Sequence, residues 1–337
     1  MHIEETIRGQ TLHNEGGLAM PKPYYAAHRP MRIQARAGSM AERKYYEKSA
    51  LPGGAWPMPK VIVPGIDPSP LDDLIFHGGK VVPQMEFQNI YLGRDRSWKV
   101  SDIERIDRAI NLAMRDRRLN NVMVQYFPGA ALDCDMRDSF VLDDVKPTTL
   151  DEPAVQALVT ELYDDSLIKK SGLATTIFNL ILPSGTVLKL DDSSSLGGLG
   201  GYHGSLHITR KGKRVTLYYS ANVYSEMRAN GTENGIAVFN SPWKNVVGTL
   251  YHEINEFRTD ADINDAIQHN SNDFLGWTSR RGHEVGDQPV FKAGELGNLR
   301  LVFKEVKASS SSRKLPVQFM FSNAVHGAEG PISQPHA

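Results

Sequence analysis

Apolar residues recur at helical spacing most clearly between Trp243 and Asp265. With each residue advanced by about 100° around the axis, Trp243, Val246, Val247, Leu250, Ile254 and Phe257 fall on one face, as a core-facing helix requires. His252, Glu256 and Asp260 fall on a second stripe, largely opposite, and Glu253 lies at the border. Upstream, Phe87 to Leu92 predicts a strand. Ser101 and Glu104 form a capping-box pattern ahead of a helix with an Ile103, Ile106, Ile110 and Ala113 stripe. Val122 to Phe127 predicts a buried strand. Pro128 to Pro147, with Asp133, Asp135, Asp138, Asp143 and Asp144, predicts an irregular acidic loop whose spacing fits no calcium loop.

A second helix is predicted from Glu152 to Lys170, with Pro153 in its first turn, Val155, Leu158, Val159 and Leu162 on its apolar face, and Gly172 at its end. Thr175 to Leu182 predicts a strand, and Asp191 to Gly201 a Ser/Gly-rich loop. Ser205 to Thr209 and Arg214 to Asn222 form a hairpin about Arg210-Lys211-Gly212-Lys213. Beyond Asp265 the periodicity fades until strands at Leu299 to Lys304 and Val317 to Phe321, joined by a flexible Ala308 to Lys314 loop. The alternation of strands and helices up to the hairpin argues for an α/β layer, and no internal repeat is present. Residues 1–72, rich in Pro, Arg and Lys and poor in periodicity, form an extended arm; 73–330 form a single α/β domain and 331–337 a tail.

The chain of 337 residues is 40% hydrophobic, enough for a sizeable core, and its formal charge of −1 gives no bulk attraction to nucleic acid or to an anionic membrane. Tyr24, Tyr25, Tyr45, Tyr46 and Trp56 lie beside basic residues of the arm. They are read as pinning it to a surface, of the domain or of a protein partner, rather than as stacking nucleobases. Cys134 is the single cysteine, so there is no internal disulfide framework, and its acidic surroundings disfavour a nucleophilic thiolate. No apolar run approaches a membrane span and Met1 to Gln10 has no apolar leader core. The expected location is therefore the cytoplasm, or outside it by a leaderless route. Neither a Gly-x-Ser-x-Gly elbow nor a dinucleotide fingerprint is present.

Candidate chemistry converges on His252-Glu253-Ile254-Asn255-Glu256. Positions i and i+4 lie one helical turn apart, so two side chains can grip one ion, and the Glu beside the first ligand can act as base, as in H-E-x-x-H zinc proteases. Here the second ligand is a carboxylate, which zinc accepts. The alternative is an ordinary Glu-rich solvated face. Downstream, His283, Glu284 and Asp287 are the candidates to complete a coordination shell. His203, in a Gly-flanked turn, is a candidate to bind metal or steady an oxyanion, whereas His207 reads as a hydrogen-bonded sheet residue.

Several stretches resemble the exordium/phosphate-induced protein family, in that family's order and across residues 75–325. His252 to Asp260 resembles the H-E-L-A-E-A-V-T-D of its bacterial branch, and His283-Glu284-Val285-Gly286-Asp287 its G-E-I-G-D. Phe76-His77-Gly78-Gly79 resembles its Y-H-G-G and Tyr202-His203-Gly204 its Y-H-G turn. Val317-Gln318 and Ser322-Asn323 resemble its V-Q…S-N close. The cysteines that often accompany those motifs are missing here. The resemblance implies a zincin-like metallohydrolase layer, a mixed sheet packed on helices with the active-site helix below an edge hairpin. It also implies a zinc-dependent peptidase acting on a peptide or protein, with His252, Glu256 and one downstream carboxylate as ligands and Glu253 as base. For the third ligand Glu284 is preferred, Asp260 comes second, and Asp287 supports. Asp260 lies about 12 Å along a straight axis from His252, so it ligates only if the helix ends near Arg258 and otherwise orients a ligand. The competing expectation is a non-catalytic interaction protein that docks through its arm.

Overall fold

A computed structural model describes residues 63, 65–94, 96–143 and 146–336; the arm up to residue 62 lies outside them. The elements that build the site are, in chain order, β1 (Gln84–Leu92), α1 (Val100–Met114), α2 (Arg117–Met123), β2 (Asp133–Leu142), α3 (Glu152–Asp164), β3 (Thr176–Ile181), β4 (Gly201–Arg210), β5 (Lys213–Asn222), α4 (Pro242–Thr259), α5 (Ile263–His269), α6 (Asp287–Glu295), β6 (Phe303–Lys307) and β7 (Lys314–Gln318).

Five strands form one mixed sheet in the order β2-β1-β3-β5-β4. All neighbours are parallel except the last pair, where β4 runs antiparallel to β5 on the outer edge. The hairpin turn is made at Lys211 and Gly212, both with positive φ (51° and 72°), the left-handed pair that matches the twist of a two-residue hairpin. One face of the sheet packs Met85, Phe87, Tyr91, Ile177, Ile181 and Tyr218 against α1 and α4; the other packs Ile90, Leu92, Phe178, Leu180 and Leu217 against α3. The alternation along each strand delivers the two cores, since successive side chains point to opposite faces.

Helix α4 begins with Pro242 at its first turn. Val246, Val247, Leu250, Ile254 and Phe257 are all fully buried, as the apolar stripe predicts. The opposite stripe is buried too: Thr249, His252, Glu253 and Glu256 are at most 8% exposed. A central helix with carboxylates on a buried side departs from ordinary packing, and the reason lies in the site described below.

Several local expectations change. Helix α1 starts two residues early, with Lys99 rather than Ser101 at its N-cap, and no side-chain cap bond forms, so the Ser101/Glu104 box is not used. The apolar run from Val122 to Phe127 is helical rather than extended. It continues α2, which is capped by the Asp116 carboxylate accepting from the backbone of Arg118 and Leu119, into a short 3-10 turn. The acidic stretch holds strand β2, paired in parallel with β1. Helix α3 ends at Asp164, followed by Ser166 at φ 62°, well before Gly172. Beyond Asp265 the chain forms α5 and α6, and Leu299–Leu301 is a 3-10 turn. The folded unit also runs past 73–330. Val63 and Ile66 are buried with Val302 and Phe303, and the Ile332 N–H donates to Arg118 O at 3.1 Å. Among the described residues no helix is long and apolar enough to cross a membrane.

Candidate metal centre

Five buried carboxylates and two buried imidazoles meet where α4 passes under the start of β4. Glu253, Glu256, Asp260, Glu284 and Asp287 are each at most 2% exposed, His203 1% and His252 8%. The i, i+4 spacing sets the first contact, 3.1 Å between His252 Nε2 and Glu256 Oε2. The loop before α6 then brings Asp287 Oδ1 to 3.9 Å from His252 Nε2. On the other side, β4 lowers His203 onto the helix, with Nδ1 3.5 Å from Glu253 Oε2 and 3.7 Å from Glu256 Oε2. Two donor triads result, His252–Glu256–Asp287 and His203–Glu253–Glu256, each with its donor atoms within 4.8 Å of one another.

Both imidazoles are held through the nitrogen that faces away from this centre. His252 Nδ1 donates to Gln318 Oε1 (2.8 Å), and the Gln318 amide donates in turn to Gly286 O (2.6 Å). That selects Nδ1–H as the tautomer of the neutral ring and turns Nε2 toward Glu256. His203 Nε2 donates to the carbonyl oxygen of Asp260 (3.1 Å), leaving Nδ1 toward Glu253 and Glu256. Gly286 N donates to Glu256 Oε1 at 3.2 Å, so one carboxylate oxygen is tied and the other faces inward.

Six buried atoms of these residues have no hydrogen-bond partner: His203 Nδ1, Glu253 Oε2, Glu256 Oε2, Asp260 Oδ2 and both Glu284 oxygens. Burying even one unpaired carboxylate costs several kcal/mol, so a cluster of this kind calls for protons or a cation. Burial, reinforced by Glu256, holds the Glu284 and Asp287 carboxyls well above the usual carboxylate range. Burial pushes Asp260 up to about 7, and raises Glu253 against the opposing charge of His252. At His252 burial opposes the imidazolium, but Glu256, Glu253 and Asp287 together outweigh it and raise the group well above its ordinary value. His203 is raised in the same way by Glu253 and Glu256, against burial. Protons thus neutralise the cluster when no cation does. Imidazole nitrogen and carboxylate oxygen are donors that zinc accepts. Four donors around a tetrahedral ion stand about 3.4 Å apart, close to the spacings here, so the residues fit a divalent ion.

Helix α4 does end beside Asp260, which is its C-cap, but that carboxylate joins neither triad. Its Oδ1 accepts from Gly276 N (2.9 Å), and its main-chain oxygen orients His203. Glu284 lies on the far side of His203, 3.6 Å from Nε2. Asp287, expected as support, completes the His252 triad. His207 is a sheet residue, bonded to Thr216 Oγ1 (2.9 Å) and Asp265 (2.8 Å). His283 packs against Phe291 instead of entering the cluster. Cys134 is buried on β2, its thiol pushed up to about 11 by burial against the opposing charge of Arg258.

Val317-Gln318 stands out in the sequence only through the family resemblance, and the contact of Gln318 with His252 spans 66 positions of chain, so local spacing gives no sign of it. Behind His203, in strand register, lies a buried polar row. His203, Ser220, Asn179 and Asn89 are successive cross-strand partners. Ser220 Oγ donates to Asn179 Oδ1 (2.7 Å), Asn179 Nδ2 to Asn89 Oδ1 (2.9 Å), and Asn89 Nδ2 to Asp107 Oδ1 (2.8 Å).

A cleft of about 90 Å³ opens onto His252, Glu253 and Asp287 from solvent. Comparison of the chain with protein-family models, with curated proteins and with solved structures gave no match.

Proposed function

We propose that this chain is a zinc-dependent hydrolase, acting as a metallopeptidase of the kind the exordium-like resemblance implies. The observation that carries the reading is the convergence of His252 Nε2, Glu256 Oε2 and Asp287 Oδ1, all buried, with His252 and Asp287 lining an open cleft and Glu256 behind them. These three residues would hold the ion. A bound zinc ion supplies electrophilic assistance to a carbonyl and makes a water molecule more acidic.

Glu253 lines the same cleft and is raised above the ordinary carboxylate range by burial, the direction that makes it a better proton acceptor. It accepts the proton of the attacking water and delivers it to the leaving amine. His203, with Nδ1 3.5 Å from Glu253 Oε2, holds Glu253 in place; it is buried outside the cleft lining, with Nε2 bonded to Asp260 O, so it acts behind Glu253 rather than on the substrate oxygen. Strand β4 is outermost in the sheet, and its Gly201 end borders the cleft.

Elemental analysis of the protein as purified, beside His252→Ala, tests the metal: near-stoichiometric zinc in the first and its loss in the second are expected. No metal under any loading would defeat the reading. Glu253→Gln is expected to keep zinc and lose turnover, and full activity in that variant would remove Glu253 from the mechanism.

A further inference from the structure

The walls of the cleft differ from its floor. Leu199, Ile236, Val290, Phe291 and Phe303 line it above His252, Glu253 and Asp287, and no lysine or arginine takes part. Asp287 opens α6, and Val290 and Phe291 follow it at i+3 and i+4, so one face of one helix carries both a proposed ligand and part of the wall. Two further wall residues are fixed by glycines. A Cβ on Gly200 would stand 2.9 Å from Ile236 Cδ1, and one on Gly248 would stand 3.1 Å from Phe303. Phe303 is itself only 4% exposed and meets Phe239 edge-on. Close approach of backbone to these side chains gives a rigid apolar wall beside the reacting position.

We infer that the cleft is a specificity pocket for an apolar substrate side chain, of leucine or phenylalanine type, next to the bond that is cut. This rests on the hydrolase reading above and adds the substrate class to it. An apolar side chain leaves water for the walls, whereas an acidic one would lose its hydration beside Glu253 and Asp287 with no cation from the walls to offset that loss.

The test incubates the zinc-loaded full-length protein with a mixture of synthetic peptides of varied sequence and maps the new termini by mass spectrometry. Cleavage beside Leu, Phe, Ile or Met is expected. In matched peptides, Leu should exceed Ser at that position by about a hundredfold in kcat/KM. Phe291→Ser should lower that ratio by about tenfold. Cleavage with no apolar preference on either side of the bond overturns the pocket and leaves the hydrolase standing. If no peptide is cut, the peptidase reading fails, and titration with two hydroxamates, one bearing an isobutyl and one a hydroxymethyl side chain, decides the pocket. Tighter binding of the isobutyl compound by about thirtyfold supports it; equal binding, or none, overturns it.

Discussion

Gln318 Oε1 accepts a hydrogen bond from His252 Nδ1 at 2.8 Å, so a residue at the end of a distant strand sets which nitrogen of the proposed ligand is free. Replacement by Leu keeps the volume and removes the acceptor. Zinc affinity of Gln318→Leu, measured by competition with a chromophoric chelator, should fall by about 10–100-fold. Unchanged affinity would show that the ring is oriented by packing alone.

Gly286 offers a purely steric test. Its φ is −90°, so Ala suffers no backbone strain there, but a Cβ would stand 2.5 Å from His252 Nδ1 and 3.0 Å from Glu256 Oε1. Gly286→Ala should retain the fold by circular dichroism and lose most of its zinc, because the two side chains that would share the ion must move apart.

Metal uptake should depend on pH with a definite sign. His252 and Asp287 are both held above their ordinary values, His252 by its carboxylate neighbours against burial and Asp287 first by burial, and each must lose a proton to act as a ligand. Affinity should therefore rise as pH rises through and beyond the ordinary imidazole range, with net proton release. Calorimetric titration with zinc in two buffers of different ionisation enthalpy measures that release. Proton uptake, or an affinity flat in pH, would contradict the assignment.

A separate group controls stability on the other face of the sheet. Glu152 is pushed up to about 8 by burial, against the opposing donation of Tyr219, Asn264 and Gln156. Its folded value exceeds its unfolded value, so its favourable contribution is complete below the ordinary carboxylate range and is lost as pH rises through about 8. Glu152→Gln, which stays neutral, should be more stable than the wild type by roughly 2–4 kcal/mol above pH 8 and close to it near pH 5, by urea denaturation.

The parts legible in the sequence were those decided locally. The apolar stripe of α4 fixes its buried face, and the Lys211-Gly212 turn fixes the hairpin that brings His203 over it. The i, i+4 pair His252/Glu256 follows from helix geometry alone. What stayed hidden depends on partners far along the chain. Strand β2 reads as a loop because it is an edge strand with only Cys134 fully buried, and its order comes from parallel pairing with β1. Asp287 over Glu284 was not decidable from spacing, because the turn at Gly286, bonded to Glu256, determines which carboxylate faces His252. The short apolar run at Val122 fits either helix or strand until the Asp116 cap is taken into account.

The row from His203 through Ser220 and Asn179 to Asn89 ties the alignment of four strands to the chemistry above them. A slip of one position in any of these strands would replace an amide or hydroxyl with its inward apolar neighbour and strand the adjoining donors without acceptors. Misaligned sheets are thereby penalised before the imidazole is ever delivered to the helix, and only a correctly threaded chain can gather the groups that would hold an ion.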